Sequence, residues 1–280
     1  MQKENEITPE KSNLGKKTDY HPHYDASLLF PIERKMQRAE INISEKLPFC
    51  GVDIWNHYEV SWLNEKGKPI VASAEIIYSC DSPFLIESKS MKLYFNSLNN
   101  TKFKHLQAII ATVTRDIETR IGAPVTVNIT PLADLQDEKI AMHLQGLNLD
   151  MLDIDCSTYK VDQSFLTTET ETVEEVLYSD LLKSNCLVTG QPDWASVQIG
   201  YQGKKINHAG LLRYIISFRN HNEFSEHCIE RIFMDILHYC QPEELTVYGR
   251  YTRRGGLDIN PYRSTNSAKP LLTNLRLFRQ

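Results

Sequence analysis

The 280-residue chain is 41% hydrophobic and 24% charged, with a formal net charge of −5. That is the composition of a water-soluble globular protein with room for one large domain or two ordinary ones. No window approaches the roughly 18 uninterrupted apolar residues of a membrane helix, and the first twenty residues lack the apolar core of a secretion signal. A cytoplasmic protein without membrane contact is expected, and the acidic balance argues against a broad nucleic-acid-binding face while leaving room for a local basic pocket.

Residues 1–45 read as a polar, irregular extension around one apolar knot, Leu28-Leu29-Phe30-Pro31. Residues 51–63 and 70–78 are rich in β-branched and aromatic side chains and flank the turn sequence NEKGKP, which predicts a long hairpin. A helical stretch, LIESKSMKLYFNSLNN, follows. In the next, Phe103, Leu106, Ile109, Ile110, Val113 and Ile117 recur at helical spacing before Gly122 closes the helix. Pro124 then opens a short strand, VTVNITPL, completing a first module over residues 46–135.

Residues 136–165 are acidic and aperiodic, and read as a connection. In the second module, residues 166–280, strands are predicted at 172–182 and 194–201. Two amphipathic helices follow, HAGLLRYIISF and FSEHCIERIFMDILHYC, the latter with Phe224, Cys228, Ile232 and Ile236 on one face, and LTVYGRYT closes as a strand. The order strand, strand, helix, helix, strand thus occurs twice. It predicts an α+β protein built from two tandem ββαα(β) modules with antiparallel sheets.

Cysteines stand at 50, 80, 156, 186, 228 and 240, none in a C-x-x-C pair, so reduced thiols are expected rather than zinc knuckles or disulfides. Cys228 falls on the apolar face of its helix, and Cys50, Cys80 and Cys240 at element ends, all read as structural; Cys156 is uninformative. Cys186 differs. It lies between a predicted strand and a Gly-Gln-Pro-Asp turn, where a folded loop can return the Asp193 carboxyl toward the sulfur. A thiolate with a proton-donating acid suits addition to an electrophilic carbon, although a packed cysteine beside a turn aspartate gives the same spacing.

Three arginines among glycines in Tyr248-Gly-Arg-Tyr-Thr-Arg-Arg-Gly-Gly256 suit phosphate recognition, or else an exposed strand end. Glu87-Ser-Lys-Ser-x-Lys92 by itself reads as a charged helix start with a capping serine. No G-x-G-x-x-G, P-loop or H-E-x-x-H motif is present, and the histidines have no ligand spacing, so no metal is expected.

Taken together, LIESKSMKLYFNSLN, SNCLVTGQPDWASVQIGYQG, FRNHNEFSEHCIERIF and GRYTRRGGLDINPYRS, with the N-terminal LGKKTDY and LLFPIER, resemble the NADPH-dependent 7-cyano-7-deazaguanine reductases of queuosine biosynthesis, in their long two-module form. The resemblance covers nearly the whole chain. It implies a tunnelling fold, shared with GTP cyclohydrolase I and pterin enzymes, and a four-electron reduction of a nitrile to a primary amine using two NADPH. Cys186 matches the nucleophile that forms a covalent thioimide, and Asp193 the proton donor. Leu85, Ile86, Glu87, Ser225 and Glu226 match the substrate-binding positions; Ser88, Lys89, Arg254 and Gly255 match the NADPH-contacting ones, so that both modules are expected to serve one site. The resemblance further implies a homodimer acting on a free base, without direct tRNA contact.

One departure stands out. The family pattern reads F-H-E where this chain has Phe224-Ser225-Glu226, with His227 after the acid. Serine hydrogen-bonds but carries no proton near neutral pH. His227 lies two residues, about 200°, around a helix from that position. The leading expectation is a nitrile reductase. Its alternatives are a tunnelling-fold purine or pterin binder with impaired turnover, and a thiol-dependent hydrolase of nitriles or amidines needing no NADPH.

Overall fold

In the computed structural model, which describes residues 11–12, 20, 22–44, 46–135, 140–268 and 274–280, strands and helices combine in a mixed α+β arrangement. The described residues group into two units. The first draws on those within Met1–Ala39, Ile54–Glu138 and Arg254–Asp258, the second on those within Glu40–Asp53, Lys139–Arg253 and Ile259–Gln280.

In the first unit, the predicted hairpin is β2 (Cys50–Leu63, of which Ile54 onward belongs here) and β3 (Pro69–Ser79). β5 (Val125–Pro131) lies antiparallel to β3, from Ala72 opposite Pro131 to Tyr78 opposite Val125, so the order is β5-β3-β2. The helices are α2 (Ser88–Ser97) and α3 (Leu106–Ile121). Along α3, Ile109, Val113, Ile117 and Ile121 recur every fourth residue and are fully buried. Each such side chain contributes about 1.5–3 kcal/mol through burial. Gly122, in the left-handed region at φ 70°, ends the helix and donates its N–H to the Glu118 carbonyl at 2.9 Å.

The apolar knot near residue 30 forms more than the irregular extension expected. β1 (Pro31–Glu33) pairs antiparallel with β4 (Phe84–Ile86), Pro31 facing Ile86 and Ile32 facing Leu85, and α1 (Arg34–Glu40) follows. Polarity misleads there because Arg34 and Arg38 are buried. Arg38 donates to the Cys80 carbonyl at 2.6 Å, and Arg34 lies over the Tyr78 ring at 5.9 Å. The LGKKTDY string, apart from Tyr20, lies outside the described residues.

The second unit is built on β7 (Thr168–Asn185) and β8 (Pro192–Ile206), both longer than periodicity suggests because their polar ends remain paired. β9 (Glu244–Tyr251) and β10 (Leu257–Ser264) extend the sheet in the order β10-β9-β8-β7, and β6 (Leu147–Asn148), within the expected connection, adds a short parallel pairing to β7. β10 escapes pattern reading because Asp258, Asn260 and Pro261 look like strand breakers; Asp258 and Asn260 are nonetheless buried. α4 (His208–Ser217) and α5 (Ser225–Cys240) complete the unit. The α5 stripe Cys228, Ile229, Ile232, Phe233 and Ile236 is fully buried, and Gly249 on β9 admits it: a Cβ there would stand 2.6 Å from Ile229 Cδ1. No helix among the described residues is long and apolar enough to cross a membrane.

Candidate active site

Strand register brings Cys186 and Asp193 onto one face. In the β7–β8 hairpin Ser184 faces Asp193 and Asn185 faces Pro192. The turn closes with the Cys186 N–H donating to the Gln191 carbonyl at 2.8 Å and the Gly190 N–H to the Cys186 carbonyl at 3.0 Å. Because side chains alternate along a strand, Ser184, Cys186 and Asp193 share a face. Cys186 and Asp193 form a diagonal pair, a spacing of roughly 7–8 Å across a ladder. Tyr251, which pairs with Ala195, is on the same side. Beneath it the Cys228 thiol lies against the Ser184 and Tyr251 hydroxyls, and burial pushes that thiol up to about 12, which keeps it protonated and inert.

Cys186 is buried despite its place at a turn, with only 7% of its surface exposed. The segment before α5 lies along the end of β7: the Asn185 N–H donates to the His221 carbonyl at 2.8 Å, and the Glu223 N–H returns to the Asn185 carbonyl at 3.0 Å. This pairing ties the segment leading into α5, where Ser225 and Glu226 are both buried, to the residue preceding Cys186. Glu223 is fixed in turn. Arg231 grips it with bonds of 2.8 and 3.0 Å, and His221 Nε2 stands 2.9 Å away. Burial alone would raise the Glu223 carboxyl, but the His221 and Arg231 bonds outweigh it and hold the pKa below the usual range.

The other expected residues converge in the first unit. Leu85 and Ile86 are buried on β4 against β1, and the Glu87 N–H donates to the Phe30 carbonyl at 2.9 Å. Glu87, not a serine, caps α2, accepting the Lys89 N–H at 2.6 Å and the Ser90 N–H at 2.8 Å. Burial raises its carboxyl above the usual range, opposed by those N–H groups and by the Lys92 and Lys89 ammonium groups. The Ser88 hydroxyl also approaches Oε1 at 3.5 Å, while Oε2 keeps a lone pair for another donor.

The Arg254–Gly256 turn packs on the same helix. Gly255 and Gly256 have φ of 56° and 78°, and a Cβ on Gly255 would come within 3.0 Å of the Lys92 side chain. His57 holds this turn, its Nδ1 3.0 Å from the Gly256 carbonyl. Burial, assisted by Lys92 and opposed by that bond, lowers His57 to about 4, so a neutral ring donates through Nδ1–H. Arg250, by contrast, leaves the expected arginine cluster. It is buried, gripped by the Gln280 side-chain oxygen at 2.6 and 2.9 Å. What remains around α2 is a hydroxyl, Lys89, Lys92, Arg254 and close-approaching glycine backbone, a donor set that fits the phosphates of NADPH. Among the described residues no group of three or more His, Cys, Asp or Glu is placed to hold a metal ion.

Lys183, His57 and the His221–Glu223–Arg231 cluster went unnoticed in the sequence; only the charges flanking SNC and FSE hinted at two of them.

A thiol and a carboxyl group thus share a sheet face, and the backbone pairing at the end of β7 leads into a helix that starts with a buried glutamate. Residues 20–129 match the family model described as nitrile reductase, 7-cyano-7-deazaguanine-reductase N-term, and residues 192–270 that of QueF-like protein. The chain is 60% identical over 271 residues to the NADPH-dependent 7-cyano-7-deazaguanine reductase of Legionella pneumophila (strain Lens), covering 96% of this chain and 95% of that one. Proteins of the same name from Coxiella burnetii (strain CbuK_Q154) and Paraburkholderia phytofirmans are 55% and 54% identical, over 98% of this chain and 98% and 100% of theirs. The chain belongs to the NADPH-dependent 7-cyano-7-deazaguanine reductase family.

Proposed function

We propose that this protein reduces the nitrile of 7-cyano-7-deazaguanine to the primary amine of 7-aminomethyl-7-deazaguanine, with NADPH as reductant, in queuosine biosynthesis. The observation that carries this reading is the shared face of Cys186 and Asp193 beside the start of α5. The Cys186 sulfur adds to the nitrile carbon, one C–N π bond opens, and Asp193 delivers a proton to the nitrogen, leaving a thioimide on the sulfur. After reduction at that carbon the C–S bond breaks and the thiolate departs, which a weakly basic sulfur does readily. NADPH, when bound, supplies the two hydrides, one from each molecule.

Glu226 is proposed to accept the purine N–H groups, with Ser225 beside it. In the first unit Leu85, Ile86 and Glu87 are proposed for substrate, and Ser88, Lys89, Arg254 and Gly255 for NADPH. We place the enzyme in the cytoplasm as a homodimer taking a free base, without membrane or nucleic-acid partners.

The finer fold is proposed to be two tandem tunnelling-fold modules. Details repeated down to side chains support this reading. Tyr94 bonds Asp116 at 2.8 Å where Tyr214 bonds Asp235 at 2.6 Å. Ser97 and Ser217 each donate to a tyrosine carbonyl at 2.6 Å and each receive an aspartate N–H, from Asp25 and Asp162, at 3.2 Å. In this correspondence Asn64 occupies the place of Cys186, and its turn closes with the same two backbone bonds, to Lys68 and from Gly67, at 2.9 Å each.

Purified protein mixed with 7-cyano-7-deazaguanine is expected to consume about two NADPH per amine formed; no consumption would overturn the reading. The impaired-binder alternative is not favoured, since relatives 54–60% identical carry the reductase name. Ser225→His, restoring an imidazole at the helix start, is expected to raise kcat/KM for the nitrile about tenfold. Unchanged efficiency would show that the serine is no handicap.

A further inference from the structure

The repeat within the chain offers an internal control on what the nucleophile requires. In both units the residue before the turn is paired by its backbone to the segment leading into the second long helix. In the first unit the Leu63 N–H donates to the Thr101 carbonyl and the Phe103 N–H to the Leu63 carbonyl, both at 2.9 Å. In the second, Asn185, His221 and Glu223 make the same two bonds at 2.8 and 3.0 Å. Around Asn64, which has no thiol to aim, that backbone pairing suffices; Ser61, two residues before Leu63, turns instead to the Ile70 carbonyl at 2.9 Å.

Around Cys186 a layer of side chains is added. The Lys183 ammonium donates to the Asn185 side-chain oxygen and to the Arg219 carbonyl, both at 2.6 Å. The Asn185 amide reaches the Asn222 side-chain oxygen at 2.9 Å. Across the hairpin Lys183 faces Trp194, over whose ring the Arg219 guanidinium lies at 5.5 Å. The backbone N–H and carbonyl of Asn185 and its side-chain amide N–H are thus committed to residues 221–223, and its side-chain oxygen to Lys183, which itself reaches Arg219.

We propose that Lys183, acting through Asn185, is the positioning residue of the nucleophile: it locks the end of β7 to the segment that launches α5, and so fixes Cys186 relative to Glu226. The fold does without the clamp in the unit that lacks the thiol, so the clamp serves the chemistry. A misplacement of about 1 Å at a reacting atom costs on the order of 100-fold in rate, so the smaller shift opened by losing one side-chain clamp is expected to cost about tenfold.

This inference rests on Cys186 being the nucleophile, and the test separates the two. Full-length protein is mixed with 7-cyano-7-deazaguanine without NADPH, and formation of the covalent adduct is followed by absorbance and intact mass. Cys186→Ala must form none; an adduct in that variant would sink the underlying reading. Lys183→Met is expected to form the adduct about tenfold more slowly, with its melting temperature and its KM for NADPH close to wild type. Asn185→Ala should do the same. The double variant should be no slower than either single one, because the two residues act as a unit. Lys183→Gln, which keeps a neutral NH₂ donor group, should recover part of the rate. Wild-type adduct formation in Lys183→Met, additive losses in the double variant, or losses of rate that merely follow losses of thermal stability would each overturn the proposal.

Discussion

Cys186→Ala is expected to lower turnover by on the order of 10⁴–10⁶-fold, the scale on which removal of a covalent nucleophile acts, with the fold retained. Cys186 is small and sits at a turn whose closure uses backbone groups, the Cys186 N–H to Gln191 and the Gly190 N–H to Cys186. Losing the sulfur therefore removes the atom proposed to form the bond and little else. Cys186→Ser should be as inactive, because a hydroxyl is far less ionised than a thiol at neutral pH and leaves less readily from carbon. Asp193→Asn separates the proton from the position. The amide keeps the shape of the carboxyl group at the diagonal of Cys186 but cannot donate an acidic proton, so a loss of about 10²–10⁴-fold is expected. Steady-state NADPH oxidation and intact-mass detection of the adduct check both. Turnover surviving in Cys186→Ala would remove sulfur from the mechanism altogether.

The sequence exposes those elements whose signals are local. The NEKGKP turn between two β-branched runs, the fourfold apolar repeat of α3 and the closing Gly122 each carry their meaning within a few residues, and β2, β3 and α3 appear where expected. β10 and the first turns near residue 30 do not, since Asp258, Asn260, Arg34 and Arg38 look exposed until distant partners bury them. Arg250 is the clearest case. Among arginines and glycines it reads as part of an anion site, yet Gln280, thirty residues on, takes it into the interior. The candidate site divides in the same way. Cys186 and Asp193 could be singled out as candidates because one turn joins them, whereas Glu87 by itself reads as part of a helix start capped by serine. Lys183 was not legible, because its partners are a carbonyl 36 residues away and a neighbour's amide. The coming together of Gly255 and Lys92 is likewise a fact of tertiary packing.

Arg263→Met is expected to destabilise the protein by about 3–5 kcal/mol, the cost of removing one partner from a buried ion network. Arg263 on β10, Asp53 at the start of β2 and Glu230 on α5 are all fully buried. The guanidinium holds Asp53 at 2.9 Å and Glu230 at 2.8 and 3.1 Å, and donates to the Val52 and Tyr262 carbonyls at 3.0 Å each. Gly51 lets the chains approach this closely: at φ 155°, a Cβ there would stand 1.9 Å from the Tyr262 oxygen. Methionine fills much of the volume but takes the guanidinium away from two carboxylates in a dry interior. A loss of that size corresponds to a drop in Tm on the order of 10 °C for a chain of this length, and denaturant titration measures it directly. The triple variant Asp53→Leu, Glu230→Leu, Arg263→Met should be more stable than Arg263→Met alone, because removing both carboxylates costs less than burying them without the arginine. Glu230 lies one helical turn beyond Glu226, so the single variant should also lose activity below its unfolding temperature as the start of α5 loosens. An Arg263→Met protein as stable as wild type would mean that both carboxyl groups take up protons in the folded state once the arginine is gone. Its stability would then fall as pH rises, which distinguishes that outcome from a network that never contributed.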